Sequence, residues 1–204
     1  MSRSIVVVIF LVSSLIANAA HAVSILVMGD SLSAGYGLAQ SEAWPTLLAN
    51  KLNTEGYRYE VVNASISGET TAGGRSRMAD ALQRSKPAIV ILELGANDGL
   101  RGLSLKAMRD NLDAMIVASQ KAGAKVLLIG MRMPPNLGQS YTSKFQQTFS
   151  DLAKARKTAF FPFLLQDIAD KHELFQADNL HPVASAEPTI VANIWKILKP
   201  MLKK

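Results

Sequence analysis

The chain contains no cysteine among its 204 residues, so it can form no internal disulfide and can carry no lipid on a cysteine. Two catalytic signatures are also missing: the Gly-x-Ser-x-Gly turn of one large class of hydrolases and the glycine-rich fingerprint of dinucleotide-binding folds. No group of residues has the spacing of a metal site. These absences argue against a metal or nucleotide cofactor, and we expect none.

Residues 1–22 have the pattern of a secretory signal peptide. Arg3 supplies a positively charged start, residues 5–16 are largely apolar, and Ala20-His21-Ala22 is a small-x-small cleavage site. The apolar run is shorter than the ~20 residues that are needed to span a bilayer, which disfavours the alternative of a membrane anchor. We therefore predict cleavage after Ala22 and a periplasmic or secreted protein.

The chain is basic, with a formal net charge of +6. A basic exported protein can make transient contact with an anionic membrane surface. Four lysines near the C terminus favour such a contact, although cations there also suit the end of a helix; they are Lys196, Lys199, Lys203 and Lys204. Basic and aromatic residues are not interleaved, so we expect no nucleic acid partner, and we expect a monomer that acts on small molecules.

Strand-like and helix-like segments alternate along residues 23–204. This alternation predicts a parallel sheet of about five strands that helices cover on both faces. No repeat, low-complexity linker or shift in composition divides these residues, so they are predicted to form a single domain. The predicted strands are residues 25–28, 59–63, 88–94, 126–131 and 160–163, and the predicted helices are residues 44–52, 75–83, 105–120, 145–156 and 189–202.

Ser31 lies in the segment Gly29-Asp30-Ser31-Leu32, directly after the first predicted strand. In open α/β sheets, chemistry gathers just beyond the carboxyl ends of the strands. The alternative is that the serine caps a helix. A serine hydroxyl is a weak nucleophile at neutral pH, so a catalytic role also requires a base and a group that orients the base.

Of the three histidines, only His181 has a suitable neighbour. His21 leaves with the predicted signal peptide, and His172 lies in a charged stretch that is typical of a solvated surface. Asp178 precedes His181 by three residues, so one tight turn would let its carboxylate hold the imidazole in one tautomer and stabilise the imidazolium. Taken alone, the pattern Asp-x-x-His-Pro fits a capping turn equally well.

Two further strand-end loops contain candidates for an oxyanion hole. Gly68 follows the second predicted strand, where a glycine allows a backbone N–H to approach a ligand closely. Asn97 follows the third predicted strand and offers a side-chain amide. Both segments are also ordinary turn signals. All these strand ends open on one edge of the predicted sheet.

Taken together, these segments resemble the four sequence blocks of the GDSL (SGNH) esterases and lipases. The matching blocks are Gly29-Asp30-Ser31-Leu32, Gly68, Gly95-x-Asn97-Asp98 and Asp178-x-x-His181-Pro182. The resemblance covers essentially all of residues 23–204. It is closest to the bacterial periplasmic branch, which includes acyl-CoA thioesterases, lysophospholipases and arylesterases.

The resemblance implies a three-layer α/β/α sandwich of the flavodoxin-like type and a serine esterase that works through an acyl-enzyme. Ser31 would be the nucleophile, His181 the general base and Asp178 its orienting group. The backbone amides of Ser31 and Gly68 and the side chain of Asn97 would form the oxyanion hole. The implied substrates are lysophospholipids, acyl thioesters and aryl esters. One departure is Glu187, where that branch usually has a neutral glutamine.

Hydrophobic residues in two of the strand-end loops predict a groove for an acyl chain. Loops over a strand end are normally polar, yet Leu100 and Leu103 lie just beyond Asn97. We predict that they line an acyl groove beside Ser31, with Met133 and Pro134 of the next loop opposite, together with Pro135 and Leu137. The alternative is that the leucines pack into the core beneath the loop.

Two other functions remain open at this point. A carbohydrate O-deacetylase of the same fold would need aromatic platforms around the site, but residues 23–204 contain only two tryptophans, Trp44 and Trp195. A non-catalytic flavodoxin-like binding module would not react with a fluorophosphonate at Ser31.

Overall fold

The computed structural model describes residues 23–204 and places a five-stranded parallel sheet at the centre of the fold. The strand order is β2-β1-β3-β4-β5. The strands are β1 (Val23–Gly29), β2 (Tyr59–Asn63), β3 (Ile89–Glu93), β4 (Lys125–Ile129) and β5 (Ala159–Phe161). The predicted signal peptide, residues 1–22, lies outside the described residues and stays a prediction.

Seven α-helices of the described residues connect and cover these strands. They are α1 (Ser31–Ala34), α2 (Trp44–Thr54), α3 (Thr71–Ser85), α4 (Ala96–Leu100), α5 (Leu105–Lys121), α6 (Gln139–Arg156) and α7 (Glu187–Leu198). Helices α2 and α7 pack together on one side, and α3, α5 and α6 pack in series on the other. This arrangement confirms the predicted three-layer α/β/α sandwich. None of the helices in residues 23–204 is both long and apolar enough to cross a membrane.

The strand order explains why the chemistry gathers at one place. Strand β2 lies next to β1 in one direction along the sheet, and β3 lies next to β1 in the other direction. Such a change of direction leaves a crevice at the carboxyl ends of the strands. The apolar strands β3 and β4 are buried by helices on both faces, so this crevice has a rigid floor.

Most predicted element boundaries differ from the observed ones by a few residues, and two of the larger differences lie at a polar helix start and at a proline. Strand β2 has the predicted bounds. Helix α6 begins at Gln139, six residues before the prediction, because its first turn is polar and shows no apolar spacing. The last helix ends at Leu198 and continues only as a short 3-10 turn, because Pro200 has no N–H for an α-helical hydrogen bond.

Candidate active site

Ser31 is the first residue of α1, immediately beyond the carboxyl end of β1. The helix is capped by Asp30, whose carboxylate accepts a hydrogen bond from the N–H of Leu32 at 3.0 Å. The alternative that Ser31 caps the helix is therefore wrong, and its hydroxyl is free for another partner. That partner is His181, which lies 150 positions further along the chain.

Ser31, His181 and Asp178 form a hydrogen-bonded series. Ser31 Oγ lies 2.8 Å from His181 Nε2, and His181 Nδ1 lies 2.7 Å from Asp178 Oδ2. The other oxygen of Asp178 accepts hydrogen bonds from the backbone N–H groups of Leu180 and His181, at 2.9 and 3.0 Å. The Asp-x-x-His turn is thus both a capping turn and a side-chain pair.

The same hydrogen bonds keep Asp178 ionised. The hydrogen bond from the His181 side chain, followed by those from the two backbone N–H groups, lowers the pKa of Asp178 from 3.8 to about 2. An ionised carboxylate at Nδ1 leaves Nε2 of a neutral His181 as an acceptor that faces Ser31. This is the arrangement that removes a proton from a serine hydroxyl.

Asn97 lies in α4, which begins just after β3. Its side chain points toward Asp30, in the segment that contains Ser31. Asn97 Nδ2 donates a hydrogen bond to Asp30 Oδ2 at 3.2 Å, which leaves the second N–H of the amide available. Ser31, Asn97 and His181 all border the same groove. The structure therefore brings these three predicted residues together.

Gly68 lies in the turn between β2 and α3 and adopts a left-handed backbone conformation, with φ of 77°. The turn is tied to the end of β1 by a hydrogen bond from Ile66 N to Gly29 O at 3.1 Å. It is tied to the loop after α4 by Arg101, whose guanidinium donates to Gly68 O at 2.9 Å. The turn is thus held against both neighbouring loops.

A buried tie also joins the starts of α3 and α4. Asp98 accepts hydrogen bonds from the backbone N–H and the hydroxyl of Thr71, at 2.8 and 2.6 Å. Both residues are buried. The loops that contain Gly68 and Asn97 therefore have fixed relative positions.

A pair of buried carboxyl groups supports the Ser31 loop from below. In the β1–β3 register Gly29 lies opposite Glu93, whose Oε2 accepts hydrogen bonds from Ser33 Oγ at 2.7 Å and from Asp30 N at 3.4 Å. A side chain at position 29 would not fit, since a Cβ there would lie 2.7 Å from Glu93 Oε2. Glycine is thus required at the end of β1.

Burial controls the charge of this carboxyl pair. Complete burial raises the pKa of Glu93 well above its ordinary value, and the charge of Asp30 raises it further. Burial also raises the pKa of Asp30 from 3.8 to about 6, against the opposing effect of the hydrogen bond from Leu32 N. No sequence pattern predicted a role for Glu93. The signal was a glutamate at the end of a strand that is apolar on both faces.

A groove of about 420 Å³ opens beside Ser31. Of the six residues predicted to line it, Leu100, Met133 and Pro134 do so, but Leu103 does not. Leu103 is 44% exposed and lies outside the groove, because the chain turns at Gly102 and Leu103 N bonds back to Asp98 O. Pro135 also lines the groove, and Leu137 does not. Further lining residues, which the sequence analysis missed, include Met131, Arg132, Phe163, Leu165, Phe175 and Leu180.

Within residues 23–204 no group of three or more histidine and acidic side chains is arranged to hold a metal ion. A serine, a histidine and an ionised carboxylate in one hydrogen-bonded series, at the carboxyl edge of a parallel α/β sheet, define a serine hydrolase. The model of the GDSL-like lipase/acylhydrolase family matches residues 27–186, and the chain belongs to this family.

Named relatives agree with this assignment. The chain is 45% identical to esterase TesA of Pseudomonas aeruginosa, over 92% of this chain and 94% of that protein. It is 38% identical to thioesterase 1/protease 1/lysophospholipase L1 of Escherichia coli K12, over 91% of this chain and 88% of that protein. The predicted resemblance is therefore confirmed.

A solved structure adds chemical information. The esterase EstA from Pseudoalteromonas, in a structure inhibited by monoethylphosphonate, has a TM-score of 0.83 and 41% identity to this chain, and the match covers 87% of this chain and 97% of EstA. Phosphonates of this kind react with activated serines. The chain is a serine esterase, as the sequence analysis predicted.

Proposed function

We propose that Ser31 is the nucleophile of this esterase, His181 its general base and Asp178 the group that orients the base and stabilises its protonated form. The observation that carries this proposal is the 2.8 Å contact between Ser31 Oγ and His181 Nε2 at the head of an apolar groove. No cofactor is needed for this chemistry, because the imidazole supplies and removes every proton.

The reaction proceeds through an acyl-enzyme in two halves. His181 takes the proton from Ser31 as its Oγ attacks the ester carbonyl, and the resulting oxyanion is stabilised by Ser31 N, Gly68 N and the free N–H of Asn97. His181 then gives the proton to the leaving alcohol or thiol as the carbon–oxygen or carbon–sulfur bond breaks. Water repeats the sequence with His181 as base and releases the acid and free Ser31.

We propose that the preferred substrates are amphiphilic acyl esters, and lysophospholipids in particular. Leu100, Met133 and Phe163 give the groove an apolar lining for an acyl chain. Arg132 lines the same groove with its Cζ 4.7 Å from the centre of the Phe163 ring, and it makes no salt bridge within the described residues. An unpaired cation beside an apolar lining suits an ester that also has a phosphate.

The remaining substrate classes follow from the same site. Aryl esters and acyl thioesters have better leaving groups than alkyl esters and need no additional residue. A carbohydrate deacetylase is disfavoured, because Trp44 and Trp195 are both buried and offer no platform for a sugar. Export after Ala22 would place acyl-CoA out of reach and leave membrane-derived lysophospholipids as the natural substrates, hydrolysed by a monomer in transient contact with the membrane.

Labelling with a fluorophosphonate probe tests the nucleophile. The wild-type chain and Ser41→Ala, which changes an exposed serine elsewhere, are expected to label equally, and Ser31→Ala is expected not to label. Labelling of Ser31→Ala at the wild-type rate would reject Ser31 as the nucleophile. The absence of labelling in the wild type would favour the non-catalytic binding module.

Matched lipids test the role of Arg132. Arg132→Gln is expected to lower kcat/KM for a lysophosphatidylglycerol by roughly fivefold, because an exposed ion pair is worth about 1 kcal/mol. The neutral monoacylglycerol with the same acyl chain should be hydrolysed unchanged. Arg58→Gln, which removes a cation at the opposite edge of the sheet, is the control. Equal loss on both lipids would show that Arg132 only packs against Phe163.

A further inference from the structure

The turn that contains His181 is exposed, and hydrogen bonds from the backbone and the side chain of one residue, Gln176, help to hold it in place. Gln176 N donates to His181 O at 2.8 Å, and Gln176 Nε2 donates to Pro182 O at 2.9 Å. The same Nε2 also donates to Tyr36 O at 2.8 Å. One glutamine therefore joins the turn that contains the histidine to the segment that follows α1.

Tyr36 connects the same two segments through its ring. Its backbone N–H donates to Ser31 O at 3.1 Å, so the residue is attached to the helix that contains the serine. Its ring lies on the imidazole of His181, with centroids 4.4 Å apart and planes inclined by 37°. The Tyr36 side chain is 53% exposed, so its role is this contact with His181 and not packing in the core. Tyr36 is not among the residues that line the groove.

The contact is tight at Gly37. A Cβ at this position would lie 2.3 Å from Gln176 Oε1, and φ of Gly37 is +75°. A side chain at position 37 would strain this left-handed backbone and would push the amide of Gln176 out of its present position. The three residues together form a clamp, defined here as Tyr36, Gly37 and Gln176.

We propose that this clamp positions His181 against Ser31, with Tyr36 and Gln176 as positioning residues. The tyrosine ring covers one face of the imidazole and presents its electron-rich face to the imidazolium that forms when Ser31 loses its proton. The glutamine prevents the exposed turn from moving away from α1. This inference rests on the proposed catalytic roles of Ser31 and His181.

The proposal predicts a loss in kcat without a change in KM, because the clamp touches the base and not the groove. A displacement of about 1 Å in a catalytic group can cost about 100-fold in rate. Tyr36→Leu and Gln176→Met are each expected to lower kcat by about 10- to 100-fold. Tyr36→Phe keeps the ring and should stay within about twofold of the wild type. Gly37→Ala should reproduce the loss without altering either positioning residue.

The leaving group provides a second readout that a structural role would not affect. A p-nitrophenolate leaves without full protonation, whereas an alkoxide requires a proton from the imidazolium. Tyr36→Leu should therefore slow hydrolysis of an alkyl ester more than that of the p-nitrophenyl ester with the same acyl chain. Thermal unfolding of every variant shows whether the fold is retained.

The outcomes separate this inference from the proposed function. If His181→Ala keeps its activity, the proposed catalytic roles fail. If His181→Ala is inactive while Tyr36→Leu and Gln176→Met keep wild-type kcat, only the clamp is rejected. A rise in KM with unchanged kcat, or equal loss in Tyr36→Phe and Tyr36→Leu, would also reject it.

Discussion

The proposed nucleophile and the proposed base of this esterase are held in opposite ways. The segment that contains Ser31 is supported by Asp30, Ser33 and Glu93, which are at most 1% exposed. His181 lies in a surface turn whose Asp178 side chain is 37% exposed. The pKa of Asp30 is raised to about 6 by burial, whereas the pKa of Asp178 is lowered to about 2 by hydrogen bonds.

The difference shows that carboxyl groups of one site can have separate physical roles. Burial raises the pKa of Glu93, and its carboxyl group serves as a fixed hydrogen-bond acceptor under α1. Asp178 is kept charged, and in the proposed mechanism it stabilises the imidazolium of His181, which exists only during the reaction. Substitutions in the exposed turn of Asp178 and His181 should therefore reduce kcat. Substitutions of buried carboxyl groups should alter the free energy of unfolding.

The largest effect is expected on the exposed side. His181→Ala should lower kcat by about 10⁴- to 10⁶-fold, because the members of such a series act as a unit. The unfolding temperature should hardly change, since the turn adds little to the core. Steady-state kinetics and thermal unfolding on one preparation test both statements. Retained activity, or unfolding of the variant, would remove the contrast between the two sides.

Asn97 connects the buried support of Ser31 to the groove. Its amide donates a hydrogen bond to buried Asp30, and the residue also lines the groove. Asn97→Ala should lower kcat by ~10²- to 10³-fold, the usual cost of one oxyanion donor. KM should change little, because the hydrogen bond strengthens only in the transition state. If KM rises while kcat holds, Asn97 binds substrate and does not stabilise the oxyanion.

Glu187 shows what a buried carboxyl group does away from the catalytic residues. It is 1% exposed, and its Oε2 accepts a hydrogen bond from Trp44 N at 2.6 Å. Burial raises its pKa from 4.5 to about 7, and the hydrogen bond opposes this only in part. Between these two values the folded chain holds a proton that the unfolded chain has lost. The stability from neutral Glu187 is thus fully present below pH 4.5 and is lost as the pH rises through 7.

Glu187→Gln should remove this loss. The variant is expected to exceed the wild type in free energy of unfolding at pH 8 by on the order of 2 kcal/mol, with little difference at pH 4.5. Denaturant titrations at the two pH values measure the difference. Comparing the variant with the wild type at each pH cancels the contributions of Asp30 and Glu93. The same difference at both pH values would contradict a neutral Glu187.

The smallest effect is expected in the groove. Leu100→Ala should lower kcat/KM for octanoyl esters more than for acetyl esters, since each buried methylene of substrate adds ~0.8 kcal/mol. Leu103→Ala changes a leucine of similar exposure outside the groove and is the matched control. Chain-length series for both variants decide the matter. Equal behaviour of the two variants would show that Leu100 does not contact the acyl chain.

The sequence predicted those parts of the site that depend on local spacing. Asp178 and His181 are three residues apart, and Ser31 lies just beyond an apolar strand, so these residues could be proposed as a site without the fold, and the structure brings them together. Glu93 was not, because its role depends on the register that pairs β3 with Gly29 of β1. Leu103 was assigned to the groove because a sequence does not show which way a loop turns after a glycine.

The clamp illustrates the same limit. Tyr36 and Gln176 are 140 positions apart, and no spacing in the sequence links them. Their contact exists only because the turn after β5 comes back to the end of α1. Trp44 and Glu187 meet across a similar separation, which is why the glutamate was noticed as unusual but its burial was not predicted.

The bonds between Thr71 and Asp98 make part of this enzyme interchangeable. They anchor the chain one residue after Asn97, and Ser104 caps α5 just beyond, so residues 99–103 form a short insert between two fixed points. An insert with fixed ends can be exchanged while Asn97 keeps its position. Within this insert only Leu100 lines the groove, whereas Arg101 holds the Gly68 turn, so Leu100 can vary without displacing Asn97 but Arg101 has to be kept.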